Sequence, residues 1–229
     1  MAKNRVTRKQ LLKEPDEFLT TTARIIDWSR AHFKPLIIGT VIFFGLLLGI
    51  SLYTYFQKQQ NNTAEAMLGQ ALTRYQTQVE SKKPSEALTE VRGDFEKLIN
   101  SYGGVPAGRL GELLFADISL AGGAYDDAIT YYQQALAHFG AESALGNIIL
   151  NGLGTAYQQK GDYSQAVAQF QKIADGASLV LKDAALFNLG HLYKQLGQAE
   201  QSRKAYQELE AGFPESMYAP MVKGDIAES

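Results

Sequence analysis

Residues 153–173 read LGTAYQQKGDYSQAVAQFQKI, and residues 189–209 read LGHLYKQLGQAEQSRKAYQEL. The two stretches align without a gap. Leu-Gly opens each, Tyr157 and Tyr193 follow, Gly161 and Gly197 interrupt, and Phe170 and Tyr206 come 16 residues after the opening glycines Gly154 and Gly190. A third copy covers 115–135, FADISLAGGAYDDAITYYQQA, with Ala116 in place of the glycine and Ser119 in place of the tyrosine. The aromatic anchors Tyr132, Phe170 and Tyr206 stand 38 and 36 residues apart, and Phe95 lies 37 before Tyr132. A period of that length belongs to a two-helix unit that buries its apolar face only by stacking on its neighbours.

The residue types suit such a stack. Gly154, Gly190 and Ala116 are placed where the two helices of a pair cross, and a large side chain there would force them apart. Tyr157, Phe170, Tyr193 and Tyr206 are expected to fill the layer between neighbouring pairs, with Ala166 among the small residues that let helices approach. Gly123, Gly161 and Gly197 are positioned to end the first helix of each pair with a positive φ. In the closing FPESMYAPMVKGDIAES, Pro214 stops one helix and Ser216 is able to cap the next, which would cover the open end of the stack. No alternating apolar run of five or more flanks a turn signal, so a sheet is excluded. The expected fold is all-α: a helical lead-in and degenerate first repeat over 58–108, then repeats and a capping helix over 109–229, about four helix pairs in all.

The N-terminal quarter is of another kind. From Leu36 to Phe56 the chain runs LIIGTVIFFGLLLGISLYTYF, 21 residues whose only ionisable side chains are tyrosines. As a helix it would be roughly 31 Å long, the thickness of a bilayer's hydrocarbon core. A transmembrane helix over 35–57 is therefore expected, and the absence of a small-residue cleavage site after it argues for a retained signal anchor. Eight Lys/Arg precede the run and only Lys58 follows directly, which predicts the N-terminus inside and the large domain outside. Gly45 and Gly49 form a GxxxG on which another helix, a second copy of this chain included, can pack closely. Residues 1–34 form a basic segment of net charge +4. Within it Pro15 can open a helix with Asp16 and Glu17 in its first turn, and Phe18, Thr22, Ile25 and Ser29 share a face. This amphipathic helix either lies on the anionic inner leaflet or docks on a membrane partner.

The repeat pattern resembles the tetratricopeptide repeat (TPR): Leu-Gly, Tyr three residues later, a small residue nine further on, an aromatic four beyond, and a late Pro. The resemblance is strong over 109–215 and weak over 64–105, and the family's early Trp is missing from every copy. It implies a protein-binding groove lined by the first helices. Carried across position by position, the groove would present Asp117 and Leu120, then Asn151, Thr155 and Gln158, then Phe187, His191 and Lys194. The Lys/Asn clamp with which some TPR domains hold a terminal carboxylate is not reproduced. The order of segments resembles the YfgM-type ancillary subunits of the bacterial SecYEG translocon. That likeness implies a single-pass protein of a bacterial inner membrane whose periplasmic domain acts as a scaffold or chaperone-type subunit. An assembly factor for another envelope machine, in cytochrome c maturation, outer-membrane assembly or wall synthesis, is the alternative.

Catalytic signals are missing from the sequence. There are no cysteines, and His32, His138 and His191 stand apart from one another and from any HExxH pattern. P-loop, GxGxxG and GxSxG patterns do not occur. Asp126-Asp127 falls at a helix start, where it complements the helix dipole. Residues 57–229 carry fourteen basic and twenty acidic side chains, so nucleic acid is not an expected partner. Asn61-Asn62-Thr63 is a glycosylation sequon, meaningful only in a eukaryotic secretory pathway. No enzyme, metal or cofactor is expected; the expected partners are proteins and the lipid bilayer.

Overall fold

Three identical turns set the geometry of the large domain. Gly123, Gly161 and Gly197 adopt φ of +79°, +86° and +72°. At each, the glycine N–H bonds the carbonyl three residues back and the next N–H reaches five back: Ala124 to Ser119 at 2.8 Å, Asp162 to Tyr157 at 2.9 Å, Gln198 to Tyr193 at 2.8 Å. This is the Schellman closure, and its left-handed residue favours glycine. It turns the chain so that the second helix of a pair folds back on the first. Asp162 then caps the following helix, its side chain accepting from the Gln165 N–H at 3.2 Å.

The computed structural model describes residues 17–143 and 145–227. Ten α-helices and no strands occur among them: α1 (Glu17–Ala31), α2 (Phe33–Val79), α3 (Pro84–Tyr102), α4 (Pro106–Ala121), α5 (Tyr125–Phe139), α6 (Gly146–Lys160), α7 (Tyr163–Asp175), α8 (Lys182–Gln195), α9 (Ala199–Gly212) and α10 (Ala219–Ala227). The proposed helix start at Pro15 and Asp16 lies outside the described residues. Two compact units result, 1–56 and 57–229.

In the larger unit, α4/α5, α6/α7 and α8/α9 are the three pairs of the aligned repeats. The C-terminal part of α2 with α3 forms the degenerate one, and Phe95 is fully buried there. α10 packs on α9 and closes the stack. No proline lies between Pro35 and Pro84, which agrees with the length of α2. Asn61 is drawn into this packing. Its carbonyl oxygen accepts from the Ala107 N–H at 2.9 Å, satisfying a donor at the start of α4, and its amide donates to Glu65. Ser216 does not cap α10, which begins three residues later. Its hydroxyl instead donates to Asp183 at 2.7 Å and accepts from the Tyr218 N–H, pinning the final turn to α8.

Aromatic rings lie directly on glycine backbone. A Cβ at Gly154 would stand 2.9 Å from the Phe170 ring, one at Gly190 2.2 Å from Tyr206, and one at Gly152 2.4 Å from Tyr132. The first two contacts join the helices of one pair; the third joins α5 to α6 of the next. Ala116 and Ala166 are fully buried beside these rings. Tyr157 and Tyr193 are half-buried, and each hydroxyl reaches back to the preceding pair, Tyr157 accepting from Gln133 at 3.0 Å and Tyr193 donating to Gln171 at 3.3 Å. Asp126 and Asp127 begin α5 and also bridge pairs, to Lys160 and to Arg92 at 2.7 Å.

In the smaller unit, one turn at His32 separates α1 from α2. Pro35 has no N–H for the Ala31 carbonyl and its ring crowds that oxygen, so the break falls one helical turn before it. The apolar run of α2 has mean hydropathy 2.4 and none of it is buried in protein; α2 is long and apolar enough to cross a membrane. Among the described residues nothing lies within 4 Å of where a Cβ at Gly45 or Gly49 would stand.

Melting of residues 57–229 tests this register. Gly190→Leu should cost about 1–3 kcal/mol or more by overpacking against Tyr206. Tyr206→Ala should cost on the order of 3 kcal/mol, whereas Lys194→Ala should stay within about 0.5 kcal/mol. Equal losses for Lys194→Ala and Tyr206→Ala would show the register to be wrong.

Candidate functional site

The first helices α4 and α6 pack on each other directly as well as on their own partners. First helices in contact form one layer of the stack, here the inner layer, and the resemblance puts the groove on it, so its free faces are the candidate binding surface. On α4 that face carries Asp117, exposed, and Leu120, half-buried. On α6 it carries Asn151, Thr155 and Gln158, all half-buried, and the Thr155 hydroxyl is spent on the Asn151 carbonyl at 2.8 Å. Asp117 accepts a short hydrogen bond from the Tyr132 hydroxyl. Desolvation pushes the Asp117 carboxyl pKa up, and the Tyr132 bond opposes it; burial and the neighbouring carboxylate push Tyr132 far up in turn, so its hydroxyl stays a donor.

On α8 the three proposed groove residues divide. His191 and Lys194 are exposed and, with Gln195 and Tyr206, line a shallow cavity of about 310 Å³. His191 Nε2 and Gln195 Nε2 stand 3.2 Å apart. Phe187 is half-buried and stacks on Tyr218 at 4.8 Å between ring centroids. It is a packing position, covered by the turn that leads into α10.

Two apolar residues on the inner layer belong beside these. Leu110 is 39% exposed and Ile148 43%. They occupy equivalent places, six residues before Ala116 and Gly154, so the repeat alignment already contained the signal. The surface is therefore mixed: exposed aliphatic groups beside amides, a hydroxyl and one carboxylate. Among the described residues, no group of three or more His, Asp or Glu side chains is arranged to hold a metal.

The model of the tetratricopeptide repeat-like domain family matches residues 27–224, far more than half of the chain. The chain belongs to that family. No curated protein matches it. Among solved structures, a Podosopora anserina putative kinesin light chain with nearly identical TPR-like repeats superposes with a TM-score of 0.52 at 15% identity, over 71% of this chain and 83% of that one. A single-substitution variant of the same protein gives 0.52 at 14% identity, over 71% and 82%. BtubC (BKLC) from P. vanneervenii gives 0.43 at 16% identity, over 75% and 79%. At 14–15% identity the two superpositions with a TM-score of 0.52 speak for the fold alone. TPR-like repeats serve in general as scaffolds for protein–protein interaction.

One TPR-like position departs from its sister repeats. Glu112 lies four residues before Ala116, where the other copies carry Leu150 and Leu186, and all three are buried. Its Oε2 pairs with His138 Nδ1 at 2.7 Å. Desolvation pushes the Glu112 pKa up, and His138, then Arg109, oppose this. Glu112→Leu should be neutral or stabilising by up to a few kcal/mol, as for other buried ionic groups replaced by well-packed aliphatics. His138→Ala should cost about 1–3 kcal/mol at pH 7 by leaving the carboxylate unpartnered. Without His138 the folded pKa stays above the unfolded value. Stability should then rise as pH falls from 7 toward 5, more steeply than in the unchanged protein. Melts at the two pH values read both effects.

Proposed function

We propose that this protein is a non-enzymatic, membrane-anchored scaffold whose TPR-like domain holds partner or client proteins at the outer face of a bacterial inner membrane. The observation that carries the reading is the pairing of two surfaces in one chain. A 21-residue apolar helical run, exposed throughout among the described residues, is followed by a TPR-like stack whose inner layer leaves Leu110, Ile148, Asp117, Asn151 and Gln158 accessible. The first suits a single bilayer crossing. The second is a surface for an extended or helical segment of another protein, with aliphatic groups for contact area and polar groups for register.

The charge pattern supports the topology: eight Lys/Arg before the apolar run and only Lys58 directly after it favour an N-terminus in the cytoplasm and a periplasmic domain. Segment order supports a place among the YfgM-type ancillary subunits, with the Sec translocon and periplasmic chaperones as partners. An envelope assembly machine is the second reading, and the same inner layer would serve it. The GxxxG at Gly45 and Gly49 supports a helix–helix contact in the bilayer, with a translocon helix or a second copy as the occupant.

Protease treatment of intact spheroplasts should digest residues 60–229 and spare the N-terminal segment; protection of the large domain would overturn the topology. Photo-crosslinkers at Thr155 and Gln158 should capture a protein partner that crosslinkers at Gln134 and Gln207, on exposed faces of the second helices, do not. Mass spectrometry of mild-detergent eluates then decides between partners. Translocon subunits support the Sec reading, and their absence beside another machine would replace it with the second.

A further inference from the structure

Helix α1 has two unlike sides. Ile25 and Ile26 are 61% and 45% exposed, Trp28 57%, and Phe33, just past the break, 61%. At 100° per residue Ile25 and Ile26 share a side with Thr22 and Ser29, Arg24 and Asp27 fall opposite, and Trp28 and Arg30 stand at the two flanks. Among the described residues these four large apolar side chains stay exposed, and such a cluster calls for a covering.

The junction supplies the rest. Trp28 stacks on His32 with ring centroids 4.8 Å apart and planes 25° apart, and His32 Nδ1 lies 2.9 Å from the Trp28 carbonyl oxygen. The amphipathic ring pair, with Lys34, therefore sits at the very entrance to the apolar run, the depth at which such rings favour the headgroup layer. The break at His32, imposed by Pro35, frees α1 from following the axis of α2. Arg24, Arg30 and Lys34 outnumber Asp27 over this stretch, and residues 1–34 as a whole carry +4.

We propose that α1 is an interfacial helix that lies in the headgroup layer of an anionic leaflet, with Ile25, Ile26, Trp28 and Phe33 toward the acyl chains and Arg24, Arg30 and Lys34 against lipid phosphates. The inference rests on the reading that residues 36–56 cross the bilayer. Two physical terms act together. Covalent continuity with the span holds α1 within a few residues of the lipid surface, so no entropy of capture opposes contact. Each cation near an anionic surface adds about a fivefold preference for it, and the apolar side adds burial. A protein-docking helix would need the same apolar side, but the excess of cations flanking it is matched by lipid phosphate.

Trp28 is the protein's single tryptophan and therefore its own reporter. The full chain is reconstituted into phosphatidylcholine vesicles with and without phosphatidylglycerol, and Trp28 emission and acrylamide quenching are read. The expected result is a blue shift with several-fold weaker quenching when phosphatidylglycerol is present. Arg24→Gln combined with Arg30→Gln should largely reverse both, while the chain stays in alkaline-washed vesicles. Water-like emission and equal quenching in both lipids, with the chain retained, would overturn this inference alone; that is the outcome if α1 instead waits for a protein partner. Loss of the chain from washed vesicles would overturn the bilayer-crossing reading, and this inference with it.

Discussion

The stack depends on aromatic rings seated on backbone that carries no side chain. Phe170 on Gly154, Tyr206 on Gly190 and Tyr132 on Gly152 bring helix axes closer than any pair of ordinary side chains would allow. Everything else in the large domain is arranged around those seats. The Schellman turns at Gly161 and Gly197 fold Phe170 and Tyr206 back onto their glycines, and the alanines beside them keep the approach close. The polar bridges from Arg92 to Asp127 and from Lys160 to Asp126 run along the outside, between pairs already in contact. These bridges are exposed, so each is worth little by itself. The rings supply the cohesion and the ion pairs trim the register.

This division explains where the sequence was legible and where it was not. The helix pairs, the positive-φ glycines and the apolar run depend on residues within one turn or one repeat of each other, so the pattern carried them directly. The roles of Ser216 and Asn61 depend on partners 33 and 46 residues away, which no local rule reaches. Ser216 looked like a helix cap because its type and position suited one; Asp183, brought near by α8, took the hydroxyl. Phe187 stood at a groove position by repeat numbering, yet it is the last first helix, and the terminal turn folds over it. Leu110 and Ile148 were available in the alignment, but an exposed aliphatic reads as a core residue until the neighbouring helices are in place.

Glu112 is the exception inside the core. Three repeats share one template, and at one buried position two of them place leucine while the third places a carboxylate held by a histidine. A repeat protein tolerates such a departure because its stability is summed from neighbouring interfaces, so a weaker layer is carried by the stronger ones beside it. Local conflicts of this kind mark places where something other than stability shaped the residue.

The spacing of the rings has a further consequence. In each of the three aligned repeats the small residue and the aromatic anchor are 16 positions apart: Ala116 and Tyr132, Gly154 and Phe170, Gly190 and Tyr206. All the difference between periods of 38 and 36 therefore falls in the connections from α5 to α6 and from α7 to α8. A gene encoding such a stack has two kinds of joint. Those inside a pair are locked by a fixed hydrogen-bonded count and accept no change of length. Those between pairs have already changed length, and they are where a foreign sequence could be spliced in with both flanking pairs left whole.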